Sequence, residues 1–455
     1  MKLTLKEIIE ATEAKVLRAE GVNGKFALST DTRTIKKGEI YLPLKGENFD
    51  GEEFIDKAIG AGAIGFFISE QGAVSGEQKI SAKLILQVKD TLTAYLELAR
   101  FCKRKIAPKV VAITGSSGKT TTKEMAFCVA CEKFKTHKSE LNFNNEVGLC
   151  KTILSMPENT QVLIVEMGMR GLGEIELLSK YAEPDISIIT NIGTAHIGRL
   201  GSVENIAKAK CEIVKHQKKN GILIAHDDKS IKDELIHLFT YSPIHLKHFS
   251  LKDTKIVEHK IGYSKFVYKN YQYELNVEGD YNIQNSLAAI EMGLVLGMSE
   301  EEIFKGLKKY SPIEKRWEVK EIKGYKIIND SYNANPESMK ASIETFLNLY
   351  QNPRLMVLGD MGELGKNEVE YHRQIGDFLI QKIAKTTDVG IITVGKLAGE
   401  INLKLKENGI SSINFKDNLQ TSRYILDNVK IGTTIMLKAS RAMKFEEIIN
   451  EVNRK

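Results

Sequence analysis

Three observations predict an α/β protein of three domains. The chain has 455 residues, enough for two to four separate cores. Short apolar runs alternate with helical patterns from residue 108 onward, and the alternation restarts after Ser311-Pro312. A glycine-rich turn, Gly115-Ser-Ser-Gly-Lys-Thr-Thr121, stands between the apolar run Val110-Val-Ala-Ile113 and a helical stretch. Strand, glycine turn and helix start together make a phosphate cradle, because backbone N–H groups and the helix N-terminus face the anion. The expected architecture is a small mixed α/β N-terminal domain over 1–107, a central P-loop-type, mostly parallel sheet with helices on both faces over 108–312, and a C-terminal Rossmann-like α/β domain over 313–455.

The first segment opens with a helical pattern, then gives strand-like runs at 40–44 and 63–68 among glycine turns. A helical stretch near 92–104 leads through Lys103-Arg-Lys105 and Pro108 into the phosphate-turn strand and reads as a linker. In the central segment the runs at 162–165, 186–190 and 221–224 have the length and apolarity of strands buried on both faces of a parallel sheet. Helical patterns at 282–297 and 300–308 close that unit. In the last segment strands are expected at 326–328, 355–358, 390–394 and 434–437, with helices between them.

Composition narrows the function classes. With 42% apolar and 27% charged residues and 8 prolines, the chain is a globular protein rather than a disordered one. A net charge of +6 without a Lys/Arg block points to anionic small molecules and not to nucleic acid. The N-terminus lacks the pattern of a signal peptide, and no apolar stretch approaches the roughly 20 residues that span a bilayer. Five scattered cysteines suggest reduced thiols and a cytoplasmic setting. Cys128-Val-Ala-Cys131 has redox or zinc spacing but no second pair, and is expected to be buried in the helix after the turn.

The chemistry gathers at strand ends. Lys119 in the turn reaches the β/γ-phosphates, and Thr120 can ligate Mg²⁺. The turn has two residues between its glycines, Ser116 and Ser117, where the common form has four. Glu166, at the end of the run 162–165, is a candidate Mg²⁺ ligand or a turn acid. His196, after the strand at 186–190, is a candidate metal or phosphate contact or a structural histidine. In the helix after Gly201-Ser202, Glu204, Lys208 and Glu212 form an i, i+4 solvated face, whereas Lys210 shares a stripe with Val203, Ile206, Ile213 and Val214. A lysine there is paired, deprotonated or modified, or else snorkels to water. Polar clusters also follow three strands of the last segment, at 329–336, 358–365 and 437–441.

Together these segments resemble the Mur ligases, ATP-dependent amide-bond-forming enzymes of peptidoglycan precursor synthesis. The short turn, Glu166-Met-Gly168, the run from Thr190 to His196 and Ala209-Lys-Cys-Glu-Ile213 are similar to the family's ATPase pattern. Asp330-Ser-Tyr-Asn-Ala-Asn-Pro-Glu-Ser-Met339 and Val357-Leu-Gly-Asp-Met-Gly-Glu-Leu-Gly365 resemble the member that joins D-alanyl-D-alanine to UDP-N-acetylmuramoyl-tripeptide. Rival readings are the third-residue-adding ligase, a folylpolyglutamate-type ligase and a P-loop NTPase that makes no bond.

The resemblance implies a set of roles. Gly115, Ser116, Ser117, Gly118, Lys119, Thr120, Thr121, Asn282, Asn285, Arg316 and Asp330 would bind ATP. Thr120, Glu166, His196 and an N-carboxylated Lys210 would hold Mg²⁺, with Lys119, Glu166, His196 and Lys210 catalytic. Thr30, Thr32, Arg33, Leu44, Gly46, Asn142, Asn144 and Asn145 would bind the UDP-sugar-peptide, and Tyr332, Asn333, Asn335, Ser440 and Arg441 the acceptor dipeptide. The enzyme is expected to act as a cytoplasmic monomer on small molecules. Tyr281, Ala439 and Glu52 depart from the family's usual residues.

Overall fold

Apolar runs of four to six residues, too short for helices, pair side by side into the central sheet. The computed structural model describes residues 1–46, 49–72, 82–140, 143–238, 245–351, 353–383 and 389–454. Six strands run parallel in the order His245–Phe249, Ile222–His226, Ile186–Ile189, Lys109–Thr114, Val162–Glu166 and Thr136–Lys138. The three middle strands are buried almost throughout because helices cover both faces. The chain leaves Lys109–Thr114 first toward the Thr136–Lys138 edge and later crosses to Ile186–Ile189 on the other side. The carboxyl ends of these strands therefore border a crevice, the place where an open α/β sheet binds ligands.

The C-terminal sheet has the order Glu318–Ile322, Tyr325–Asn329, Thr434–Lys438, Arg354–Gly359, Val389–Val394, Ile413–Phe415. All pairs are parallel except the first, an edge hairpin turned by Lys323 and Gly324, both at positive φ. The N-terminal sheet has five strands, Lys15–Ala19, Leu84–Val88, Gly65–Ser69, Ile40–Tyr41 and Leu28–Ser29, and is mixed. The run at 40–44 pairs only as far as Tyr41; Pro43 has no N–H to donate.

Three features differ from the sequence expectation. A separate antiparallel meander, Thr254–Lys260, Tyr263–Tyr268 and Tyr271–Leu275, interrupts the central alternation. The helix expected near 92–104 is there as Thr91–Ile106, capped by Asp90, but it packs into the core with a buried Lys103 and is no free linker. Cys131 is exposed and Cys128 half-buried, since the helix Lys119–Ala130 ends there and the pair leaves the core. One continuous apolar core joins the central helix Asp280–Val295, through Ile283 and Leu287, to Trp317, Phe346 and Tyr350 on the C-terminal side.

Candidate active site

A cavity of about 1150 Å³ lies between the carboxyl edge of the central sheet and the C-terminal sheet. The glycine turn forms one wall. A Cβ on Gly115 would meet Thr190 Oγ1 at 1.8 Å, and one on Gly118, at φ +77°, would meet Asn285 Oδ1 at 2.2 Å. Both positions therefore demand glycine. The shortened turn is braced by the loop after Ile186–Ile189. Thr190 Oγ1 donates to the Ser117 carbonyl (2.6 Å), Ser117 N donates to Asn191 Oδ1 (2.9 Å) and Gly193 N donates to Ser116 Oγ (2.9 Å). Lys119 Nζ donates to the Gly115 carbonyl at 2.7 Å.

Glu166 projects from its strand end into a ring of donors. Thr120 Oγ1 donates to Glu166 Oε2 at 2.8 Å, and Asn144 Nδ2 to Oε1 at 3.2 Å. Arg316, arriving from the C-terminal side, donates through NH2 to Thr120 Oγ1 at 2.9 Å. Burial alone would raise the Glu166 pKa, but Lys119, Lys123, Arg316 and the Thr120 hydroxyl together hold it below the ordinary carboxylate value. Burial in turn pushes Lys119 down, opposed by Glu166. A deprotonated carboxylate beside a hydroxyl suits Mg²⁺, which takes one or two protein oxygens and completes its shell with phosphates and water. Among the described residues no group of three or more His, Cys, Asp or Glu gathers as a metal site.

Lys210 is 1% exposed on its apolar stripe, so the snorkelling reading fails. Burial, with the positive charge of Lys119 beside it, pushes its pKa well below the usual lysine value. Its neighbour Glu212 is a correction: it is 3% exposed, not on a solvated face. The chain tightens into a 3-10 turn at Glu212–Val214, which rotates this carboxylate inward to accept Gly173 N (2.8 Å) and Glu176 N (3.2 Å) at the start of the helix Glu174–Ala182. His196 lines the cavity, with Nδ1 2.5 Å from Glu363 Oε2.

The C-terminal wall is organised by the loop after Tyr325–Asn329. Asp330 pairs with the buried Lys438 (2.8 Å) and accepts from Ser342 Oγ (2.6 Å). Lys438 also donates to the Asn333 carbonyl, and Asn335 caps the helix Pro336–Leu349. Two guanidinium groups share the Tyr332 ring, Arg316 at 4.1 Å and Arg441 at 5.5 Å from its centre. Ser440 and Arg441 line the same wall.

The structure thus gathers turn residues 116–121, Asn144, Asn145, Glu166, His196, Asn285, Arg316, Asp330, Tyr332, Asn333, Asn335, Ser440 and Arg441 around one cavity, while Gly115 and Lys210 are not among its lining residues. Asn282 is buried instead, with Nδ2 donating to the Glu278 carbonyl at 2.6 Å. Thr30, Thr32, Arg33, Leu44 and Gly46 lie off this cavity, in the N-terminal sheet and its loops; the Arg33 side chain is 80% exposed and held by Asp31. Asn142 lies outside the described residues. Of the departures, Tyr281 borders the cavity and packs edge-on against Trp317, Glu52 accepts the Ser69 N–H, and Ala439 is buried. Sequence reasoning missed Lys123, Glu337, Glu363 and Lys438. Lys438 and Glu363 each fell inside a polar strand-end cluster and Glu337 inside the segment Asp330–Met339, whereas Lys123 left no signal.

Comparison with known proteins agrees along the whole chain. Residues 27–106 match the model of the Mur ligase family, catalytic domain; 113–293 match the Mur ligase middle domain; 315–441 match the Mur ligase, glutamate ligase domain. The chain is similar to UDP-N-acetylmuramoyl-tripeptide--D-alanyl-D-alanine ligase of Bacillus subtilis (strain 168), with 35% identity over 458 residues, 99% of this chain and 98% of that protein. Among solved structures it resembles MurF from Acinetobacter baumannii, with a TM-score of 0.87 and 27% identity over 100% of this chain and 99% of that one. It also resembles MurF ligase from Thermotoga maritima in complex with ADP, with a TM-score of 0.81 and 27% identity over 94% and 97% of the two chains.

Proposed function

This chain belongs to the Mur ligase family, and on that premise we propose how its residues divide the work of one amide-bond-forming reaction. The enzyme is an ATP-dependent ligase that joins D-alanyl-D-alanine to UDP-N-acetylmuramoyl-tripeptide, a step of peptidoglycan precursor synthesis. The observation that carries the residue assignment is the Lys119–Thr120–Glu166–Arg316 cluster, in which a C-terminal arginine reaches the phosphate turn.

The tripeptide carboxylate attacks the γ-phosphate of ATP and ADP leaves. The acceptor amine then attacks the resulting acyl phosphate, and phosphate departs from the tetrahedral intermediate. Such phosphoryl transfer rests on positioning and charge neutralisation. Lys119 and the backbone of 115–118 hold the transferring phosphate, while Arg316 adds charge once the C-terminal side is in place. Thr120 and Glu166 are the oxygen donors for Mg²⁺, which would neutralise phosphate charge when bound. His196 lines the same cavity and is the further side chain available to that ion. The depressed Lys210 amine can take up CO₂ and release a proton to become a carbamate, which would put an anion beside Lys119 where a neutral amine stood.

Asn285 stands next to Gly118 on the adenosine side, and Asn282 precedes it in the same helix, tied to the Glu278 carbonyl. Asp330 orders the nucleotide-facing loop through Lys438. Tyr332, Asn333, Asn335, Ser440 and Arg441 form the acceptor wall, and Asn144 and Asn145 the edge facing the sugar peptide. Thr30, Thr32, Arg33, Leu44 and Gly46 take the uridine diphosphate end, outside the reaction cavity. The working units are 1–107, 108–312 and 313–455 of a single monomer, acting in the cytoplasm where its nucleotide substrates are. No helix of the described residues is long and apolar enough to cross a membrane.

Phosphate release by the full chain, with UDP-muramoyl-tripeptide and ATP, tests this. Release should require D-alanyl-D-alanine and not be replaced by single amino acids or glutamate. Turnover without an acceptor would instead identify a bond-free NTPase.

A further inference from the structure

The central and C-terminal units meet backbone to backbone along a seam beside the cavity, where 194–198 faces 363–365. Gly198 N donates to the Glu363 carbonyl at 3.0 Å. A Cβ on Gly198 would stand 2.5 Å from Gly365 N, and one on Gly365 would stand 2.5 Å from Gly198 Cα, so the two backbones touch. Next to this contact His196 and Glu363 both adopt left-handed backbone, at φ +67° and +61°. Left-handed backbone is uncommon for residues other than glycine, and such strain persists where the surroundings over-determine it. Here each strained residue presents its side chain to the other, with His196 Nδ1 2.5 Å from Glu363 Oε2. Thr194 adds a second tie, its N–H and hydroxyl both donating to Glu337 at 3.1 and 3.0 Å.

Glu363 Oε2 stands against the Nδ1 side of the imidazole, where a carboxylate stands behind an oriented histidine, and Nε2 is the ring nitrogen left to act in the cavity. Glu363 belongs to a different unit from His196, so this orientation exists only while the two units are in contact.

We propose that Glu363 is a positioning residue of the ligase, delivered to His196 when the C-terminal unit closes, and that the Gly198–Gly365 contact sets the distance at which it arrives. His196 is then set for reaction only in the closed enzyme. The proposal rests on the ligase reading above.

Three variants of the full chain test it: Glu363→Ala, Glu363→Gln and Gly365→Ala. Glu363→Ala should lower kcat by about 10- to 100-fold, the range for removing such an orienting partner. KM for ATP and the melting temperature should stay near wild type. Glu363→Gln, whose carbonyl can still accept from Nδ1–H, should recover most of the loss. Nitrogen NMR of the imidazoles, with His196 assigned through His196→Gln, should show one Nδ1–H tautomer in wild type and a mixture in Glu363→Ala. Gly365→Ala keeps the carboxylate but blocks the approach; its radius of gyration with a non-hydrolysable ATP analogue should exceed that of wild type, and kcat should fall alike. Wild-type kcat in Glu363→Ala, or a loss of kcat that follows a loss of melting temperature with the His196 spectrum unchanged, overturns the proposal. The NMR and scattering arms need no turnover, so a wild type inactive toward D-alanyl-D-alanine would overturn the ligase reading while the seam is still judged.

Discussion

Lys123 has no exposed surface, yet it sits one helical turn beyond Lys119 with Nζ 3.4 Å from Glu124 Oε1 and 3.8 Å from Glu166 Oε2. It links the site to Lys138, which pairs with the other oxygen of Glu124 nearer the surface. Removing one partner from a buried ionic string leaves an uncompensated charge, so Lys123→Met should destabilise the protein by about 3 kcal/mol in urea unfolding. Lys210 makes the opposite case, since its neutral form is the one that burial favours. Lys210→Ala should lose most ligase activity and regain part of it with an added short carboxylic acid; full activity in the unrescued variant would end the carbamate assignment. The two lysines also mark what the sequence could reveal. Lys210 was legible because it breaks an apolar stripe. Lys123 was not, because Thr-Thr-Thr-Lys-Glu reads as an ordinary solvated first turn, and its enclosure comes from strands and helices remote in sequence. Glu212 was misread because a helical wheel assumes a pitch that the chain abandons at that residue.

At the level of elements, the helix Thr91–Ile106 is fixed to the central unit by its last turn. Lys103 Nζ donates to the carbonyls of Tyr181 (3.2 Å) and Ala182 (2.9 Å) and pairs with Glu183 at 2.6 Å. It thereby supplies donors to the carbonyl end of the helix Glu174–Ala182, where a cation is favoured. Burial pushes the Lys103 ammonium down to about 8, with Glu183 opposing, so it remains charged at neutral pH. Burial would raise Glu183, but hydrogen bonds from Arg104 and Lys103 outweigh it and hold the carboxyl at about 2. A depressed carboxyl stabilises the fold fully above its unfolded pKa near 4.5, and that contribution is lost as pH falls toward about 2. Melting temperature should accordingly drop across that window, and Glu183→Gln should flatten the drop, as scanning calorimetry at stepped pH would read. The repeated strand-and-helix pattern was visible because buried parallel strands are continuous apolar runs. The meander was not. Its strands alternate, as in Tyr263–Tyr268 with every second residue buried, and that period was submerged among charged residues.

For the molecule as a whole, the join between central and C-terminal units has two unlike ends. Beside the cavity it is polar and narrow. At the far end it is apolar, with Trp317, Phe346 and Tyr350 sharing a core with the helix Asp280–Val295. Glu278 lies within that end, 2% exposed, accepting from Trp317 Nε1 (2.7 Å), from Gly262 N (2.9 Å) and from the Tyr350 hydroxyl. An amide at this position would turn a donor toward donors. Glu278→Gln should therefore weaken the join by about 2 kcal/mol and split a single calorimetric transition into two. The number and kind of the units were readable from the restarting alternation, and so were the strand-end residues, which any open parallel sheet brings to one edge. Which units face each other was not readable, because that depends on surfaces with no periodic signature. The residues expected at the uridine end illustrate this, being intact in sequence yet away from the reaction cavity.

The apolar end also bears on the covalent chain itself. Since side chains from both units fill one core there, the backbone at 311–314 is not all that holds them together. A single break in that backbone would leave two polypeptides still seated on one another, and the enzyme could be assembled from separate pieces.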